Sequence, residues 1–286
     1  MKIVLILLLS AFTLQGFQQN KPAYRIFDQE GNSKGFNEFT QAALEADMVF
    51  FGERHNNPIA HWLRQETLAE LYEADEKELI IGAEMFERDD QLILDEYMRG
   101  WTAERNFEEE AKLWGNYETD YKPMVEWAVQ HDVPLIATNI PRRYAAMVAR
   151  HGPEYLDQLD EQAQSYIAPL PLEVDMELKS YKEMMQMAGD HGSENMVKAQ
   201  AIKDATMAHS ILEHFEQGKH RLFHVNGAFH TLYGEGIIWY LEQEKSDFEK
   251  VTISTVEQQQ TDSLETRHQQ HGDFILVVSE NMTRTH

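Results

Sequence analysis

The chain contains no cysteine. That absence excludes disulfide bridges, a thiolate metal ligand and a thiol nucleophile. It also excludes a bacterial lipoprotein, whose lipid is carried by a cysteine at the cleavage site. Positive charge is scarce as well: 25 Lys and Arg stand against 49 Asp and Glu, for a formal charge of −24. No basic block offsets it, so neither nucleic acid nor an anionic membrane is an expected partner. The acidity reads as a solvated surface. Long apolar runs are missing too. The run Ile3–Leu9 falls short of the roughly 20 residues that cross a bilayer. With Lys2 before it and Ser10, Ala11 and Gly16 after it, it has the pattern of a secretory signal peptide. Residues 1–16 are therefore expected to be a signal peptide, and the mature protein to be periplasmic or extracellular. No internal repeat or low-complexity linker divides the remainder, so residues 21–286 are expected to form a single domain.

What is present is an alternation of short apolar runs and longer helical patterns. Strands are expected at Asp47–Gly52, Glu78–Glu84, Pro134–Ala137, Arg221–Val225, Lys250–Val256 and Asp273–Val278. Helices are expected at Ile59–Ala74, Asp90–Met98, Tyr121–His131, Pro141–Arg150 and Asn195–Gln217, the last closed by Gly218. Near-continuous apolar strands separated by helices imply an α/β fold, a mostly parallel sheet with helices on both faces. Residues 142–219 offer only helix, and are expected to be a helical insertion over the strand C-terminal ends. The polar stretch 257–271 reads as a long loop.

Ligands of parallel α/β sheets bind beyond the carboxyl ends of the strands. Four successive strands here end in polar residues: Gly52-Glu53-Arg54-His55, Glu84 with Met85-Phe86-Glu87, Thr138-Asn139 before Ile140-Pro141, and Asn226-Gly227-Ala228-Phe229-His230. Singly these signals are weak. The two G-x-x-H matches stand against roughly 0.7 expected by chance and alone prove little, Glu84 can be a helix-start carboxylate and Asn139 a turn residue. Their joint placement points to a site. Two imidazoles and a carboxylate suit a divalent ion held by His55, Glu84 and His230 with an open position for water. They equally suit metal-free general acid–base chemistry, or the polar lining of a cofactor pocket.

These same segments carry a resemblance. Gly52–His55 (GERH), Gly82–Phe86 (GAEMF), Asn139–Pro141 (NIP), Ala199–Ala208 (A-Q-x-x-x-D-x-x-M-A) and Asn226–His230 (N-G-x-F-H) resemble the ChaN-like haem-binding proteins, in the family's order and over nearly the whole mature chain. That family belongs to the Tiki superfamily, which also holds metal-dependent peptidases and is similar in pattern to erythromycin-esterase-like hydrolases. The resemblance implies an α/β domain that binds haem in bacterial haem or iron uptake, with haem-uptake machinery as partner and a homodimer as a further expectation. It puts the superfamily's polar residues on His55, Glu84 and His230, with Glu53 close by. The chain departs from the family in one respect, since many members are lipoproteins and this one has no cysteine to lipidate.

Haem needs an apolar slot, an axial ligand and cations for its propionates. The helical stretch supplies Tyr144, Tyr155, Tyr181 and His191 as axial candidates and, with Met184, a Met-rich helix to cover a flat apolar ligand, while Arg142 and Arg143 stand where propionates can be met or are equally solvated helix residues. Met184 and Met187 also have the spacing of ordinary helix packing. Two functions follow: a haem-binding protein, or a hydrolase, peptidase or esterase, that uses His55, Glu84 and His230 with or without a metal. A third reading is a domain that only scaffolds partners.

Overall fold

A computed structural model describes residues 21–74, 77–189, 192–245 and 247–286. The expected signal peptide, residues 1–16, and the haem candidate His191 lie outside the described residues. Eight strands form one sheet: β1 (Tyr24–Asp28), β2 (Ser33–Lys34), β3 (Met48–Glu53), β4 (Glu78–Glu87), β5 (Leu135–Asn139), β6 (His220–Gly227), β7 (Lys250–Gln258) and β8 (Phe274–Ser279). Ten helices accompany it: α1 (Phe36–Glu45), α2 (Pro58–Glu73), α3 (Gln91–Met98), α4 (Glu104–Glu110), α5 (Lys122–His131), α6 (Arg142–His151), α7 (Glu161–Gln164), α8 (Lys179–Ala188), α9 (Glu194–His214) and α10 (Ile237–Glu244). Short 3-10 turns and one π-helical turn complete the set. Among the described residues no helix is long and apolar enough to cross a membrane.

The strand order is β2-β1-β8-β7-β3-β6-β4-β5. Strands β3 to β8 run parallel, and β1 pairs antiparallel with both β2 and β8. All six expected strands are present. The hairpin β1–β2 is an addition that makes the sheet mixed; only Ile26 and Phe27 of it reach the core, so it shows little of the apolar continuity of a central strand. Its turn is closed by Asp28, whose Oδ1 accepts the Asn32 amide at 2.8 Å.

Alternation along the strands sorts their side chains onto two faces. Val49, Phe51, Ile81, Phe223 and Val225 meet Phe39 of α1, Leu63 and Leu68 of α2 and Val125 of α5 on one face. Met48, Phe50, Ile80 and Leu222 meet Met207 and Ile211 of α9 and Ile238 and Leu241 of α10 on the other. Residues 142–219 form α6 to α9 with no strand among the described residues. The long helix α9 lies along a sheet face in its second half and reaches the strand ends with its first half. It stops at His214, short of Gly218, because Phe215 turns extended and packs its ring into the core.

Packing is close under the strand ends. His224 on β6 is fully buried, its Nε2 3.0 Å from the Thr138 hydroxyl and its Nδ1 3.1 Å from Asn226 Oδ1. A Cβ on Gly82 would stand 2.7 Å from His224 Cδ2 and 3.2 Å from Thr138 Cγ2. Both neighbours are pinned, so neither can give way. Gly82→Ala is expected to lower unfolding stability by about 1–3 kcal/mol, the usual overpacking cost, read as a shifted denaturant midpoint with unchanged slope.

Candidate functional site

Parallel register levels the strand ends. Glu53 of β3 pairs with Gly227 of β6, and Ala83 of β4 with Val225, so Glu53 and Glu84 flank the end of β6 from its two sides. A register shift between Ala83 and Glu87 bends the end of β4 against β5. Such irregularities re-aim side chains beside functional sites. Asn139 fixes the bend by donating its amide to the Glu84 carbonyl at 3.0 Å.

Glu53 is buried, and its carboxylate is fully engaged. Arg64 of α2 donates to Oε2 at 3.0 Å, Tyr121 donates to Oε1 at 2.8 Å, and His61 and His55 approach Oε1 at 3.4 Å. Burial alone would raise its pKa, but Arg64 and the two imidazoles hold it far below the usual carboxylate range. Helix α2 is aimed here by its N-terminus, where Asn57 accepts the amides of Ile59 and Ala60 ahead of Pro58. The π-helical turn Tyr117–Tyr121 does the same from the other side. Asn116, just before that turn, donates to the His55 carbonyl at 2.6 Å, and Tyr121 Oη lies 3.2 Å from His55 Nδ1.

Glu84 lies across the end of β6, also buried. Oε2 accepts the Gly227 amide at 2.6 Å, and Oε1 lies 3.1 Å from His230 Nε2. His230 Nδ1 makes a short contact with Asp204 of α9, and Asp204 Oδ2 accepts Tyr181 of α8 at 2.8 Å. Gln200, one turn earlier on α9, brings its amide 2.8 Å from His230 Nδ1. Burial opposes charge on His230, yet the two carboxylates outweigh it and push the imidazole up to about 10. Glu84 is lowered to about 2 against its own burial, chiefly by His230 and His55. One imidazolium cannot neutralise two carboxylates, and Asp204 is pushed upward by burial.

His55 joins the two clusters. Its ring lies over Gly227: a Cβ there would come 2.6 Å from His55 Nε2 and 3.5 Å from Glu84 Oε2. Glycine at 227 is what lets the imidazole settle between Glu53 and Glu84. Burial opposes its protonation, but the hydrogen bond to Glu53 and the charge of Glu84 raise its pKa. Its side chain keeps 38% exposure, whereas Glu53 keeps 0% and His230 and Glu84 7% each. His55 is thus the member of the network that a ligand can touch.

The four expected residues Glu53, His55, Glu84 and His230 therefore converge. The divalent-ion expectation does not hold: among the described residues no group of three or more His, Asp or Glu side chains is placed to hold a metal. His230 has both ring nitrogens turned to carboxylates, and His55 turns Nδ1 to Glu53, so their lone pairs do not meet at one point. Tyr181 is buried and bonded to Asp204, and Tyr144 is buried against α9. Met184 packs partly buried beside Tyr181. Arg142 is ion-paired with Glu87 and Arg143 with Asp89 at 2.6 Å. Arg64, His61, Asp120, Tyr121, Gln200 and Asp204 were not expected in the site. For Gln200 and Asp204 a signal existed, since both stand in the motif Ala199–Ala208.

A family model described as haem-binding uptake, Tiki superfamily, ChaN matches residues 39–241, most of the chain and every residue of the two clusters. The chain belongs to this ChaN family. Among solved structures, ChaN of Campylobacter jejuni with cofacially bound haem matches with TM-score 0.67 and 17% identity, over 90% of this chain and 97% of that one. An erythromycin esterase variant in its open conformation matches with TM-score 0.48 and 12% identity, over 90% of this chain and 83% of that one. No curated protein matches. The likeness to the Campylobacter protein establishes the α/β fold as that of ChaN.

The buried charges of this ChaN-family site set its pH dependence. His230, raised from 6.5 to about 10, contributes stability that is complete below pH 6.5 and lost as pH rises through 10. Glu84, lowered from 4.5 to about 2, contributes stability that is complete above pH 4.5 and lost as pH falls toward 2. Asp204, raised, favours the folded state only while protonated and offsets part of the acid loss. The melting temperature is expected to fall on both sides of a plateau near pH 4.5–6.5. His230→Ala leaves two buried carboxylates without their cation and is expected to cost about 3–5 kcal/mol, measured by urea unfolding at pH 6. It is also expected to flatten the alkaline limb.

Proposed function

We propose that this protein is an exported haem-binding protein of haem or iron uptake. The observation that carries the reading is the family match, which runs without a break from α1 through the strand-end residues to α10. The basic and apolar N-terminal segment supports export to the periplasm or beyond the cell. The ChaN of Campylobacter jejuni, described as binding haem cofacially, supports haem as ligand. Delivery to haem-uptake machinery completes the proposal.

The residues present fit such a group. An open groove of about 380 Å³ runs between α9, α10 and the segment 168–173, lined by Leu170, Leu172, Trp239 and Tyr240 together with the polar Glu173, Gln243 and Glu244. His209 borders it, its Nε2 3.4 Å from Glu213, and burial lowers the pKa of its imidazole, which favours the neutral form. A neutral imidazole on an apolar, aromatic wall is a donor set that haem iron takes. When bound, haem would supply the iron that the uptake function moves. This chain's part is to shield the macrocycle with Trp239 and Tyr240 and to hold the iron through His209. The groove is separate from the His55 network, so binding and acid–base chemistry need not compete for the same side chains.

A second reading rests on that network. His55 is reachable and oriented by Glu53, and Glu84 stands across Gly227 from it, held by His230. This arrangement suits metal-free hydrolysis of an ester or peptide: His55 would take the proton of an attacking water and return it to the leaving group, while the charges of Glu53 and Glu84 stabilise the imidazolium that forms in between.

Haemin titration of the mature protein is expected to give a saturable, shifted Soret band near one haem per chain. His209→Ala is expected to weaken it by about tenfold or more, and a featureless, non-saturating rise would overturn the haem reading. Glu84→Gln is expected to leave haemin binding unchanged. In an esterase and peptidase screen, turnover by the wild type that Glu84→Gln abolishes supports the hydrolytic reading; an unaltered rate sinks it.

A further inference from the structure

After β8 a short segment, Arg284-Thr285-His286, comes back to the mouth of the His55 site. Its three side chains are exposed, and such a stretch stays loose unless specific contacts tie it down. Here several do. The Thr285 amide donates to the Asn56 carbonyl at 3.1 Å, and the Asn56 side-chain amide donates to the His286 carbonyl at 3.3 Å. Arg284 lies 3.2 Å from Oε2 of Glu257, near the end of β7. The other oxygen of Glu257 accepts the side-chain amide of Asn57, the N-cap of α2, at 3.4 Å.

The contact that says most is the Thr285 hydroxyl. A hydroxyl on an exposed side chain is ordinarily satisfied by water. This one donates instead to Oδ2 of Asp120 at 2.7 Å, a carboxylate 1% exposed within the π-helical turn. The same Oδ2 accepts the Asn116 side-chain amide at 2.6 Å, and that amide also donates to the His55 carbonyl at 2.6 Å. An unbroken chain of hydrogen bonds thus runs from Thr285 through Asp120 and Asn116 to the backbone of His55, while the Thr285 amide holds the next residue, Asn56. His286 completes the contact from the other side. A Cβ on Gly115 would come 3.5 Å from its Cε1, and Trp114, beside that glycine, meets the His55 ring edge-on with centroids 4.9 Å apart. The segment lies beyond residues 39–241, so the family match does not extend to it.

We infer that Arg284–His286 is a strap across the mouth of the site and that Thr285 is a positioning residue for His55. The strap clamps the turn 54–57 against the stretch 114–120, so that the imidazole a ligand can touch keeps its place over Gly227. The inference goes beyond both the haem and the hydrolytic reading. It rests on His55 as the reachable member of the network, and the failure of either reading leaves it standing.

Nuclear magnetic resonance of the isotopically labelled full chain tests it. In the wild type, Overhauser contacts are expected from Thr285 to both Asn56 and Asp120, and their absence overturns the strap whatever the variants show. Thr285→Val keeps the shape of the side chain and removes its donor. It is expected to move the ring resonances of His55 and to lower the protection of the amide at position 285 from hydrogen exchange by about tenfold or more. Thr285→Ser, which keeps the hydroxyl, is expected to restore both. His55 resonances that stay in place in Thr285→Val, or move as far in Thr285→Ser, would remove the positioning role. Arg284→Met frees the strap from Glu257 without touching Asp120, and is expected to move the same His55 resonances in the same direction, less far. A change confined to the surroundings of Glu257 would show that the three residues do not act as one strap, and would overturn it.

Discussion

The molecule is organised around a carboxylate that has no business being in its interior unless it is matched. Glu84 is buried at the end of a central strand, and a lone ionised carboxylate there would be untenable. It stays charged because the Gly227 amide and His230 meet its two oxygens, and His230 stays charged because Asp204 meets its other nitrogen. Each contact dictates something further out. Gly227 must expose its backbone, Gly236 must be glycine because a Cβ would run into the His230 carbonyl, and α9 must cross the strand ends at Asp204. Tyr181 then ties α8 to the same point. A pair of this kind gives little net stability, but breaking it is costly, so it selects one arrangement of the helices over others.

Glu53 repeats the solution on the opposite side of β6 with different parts. There the cation is Arg64, a side chain that cannot lose its proton, and the supporting groups come from α2 and the π-helical turn. The two sides differ in what they permit. The Arg64–Glu53 pair is electrostatically fixed at any working pH, while Glu84–His230–Asp204 holds a proton that can in principle be displaced. His55 stands between a fixed anion and a responsive one, and is itself partly in solvent.

Much of the fold was legible because buried parallel strands announce themselves as near-continuous apolar runs. Asp47–Gly52 and Arg221–Val225 are of that kind. The hairpin β1–β2 was not, since an edge strand is half polar and a two-residue partner has no pattern at all. Helices α1, α4 and α10 escaped for related reasons: α4, for example, is a single charged stretch around Phe107. In the site, His55, Glu84 and His230 were legible because they follow strands. Arg64 and His61 were not, because on a helix they read as solvent-facing charges, and only the fold shows that side of α2 turned toward Glu53. The two arginines after β5 illustrate the converse. Arg142 and Arg143 looked available by position, but Glu87 and Asp89 reach them first.

That last point bears on how cations are read in an acidic protein. With carboxylates outnumbering cations about two to one over the chain, a lysine or arginine placed at random finds an anion of its own protein nearby and is screened by it. Cationic residues in a sequence of this composition therefore say little about ligand charge. What carries information is a cation whose acidic neighbours are all engaged elsewhere, as around Lys179, where Glu183 and Glu235 are held by Tyr233 and by backbone amides. Satisfying those carboxylates locally prevents them from closing on the lysine. The strained backbone at Tyr233 belongs to the same arrangement, because its left-handed turn puts the hydroxyl where it occupies Glu183 and leaves the ring beneath the ammonium. Strain at one residue thus keeps a positive charge free in a strongly negative molecule.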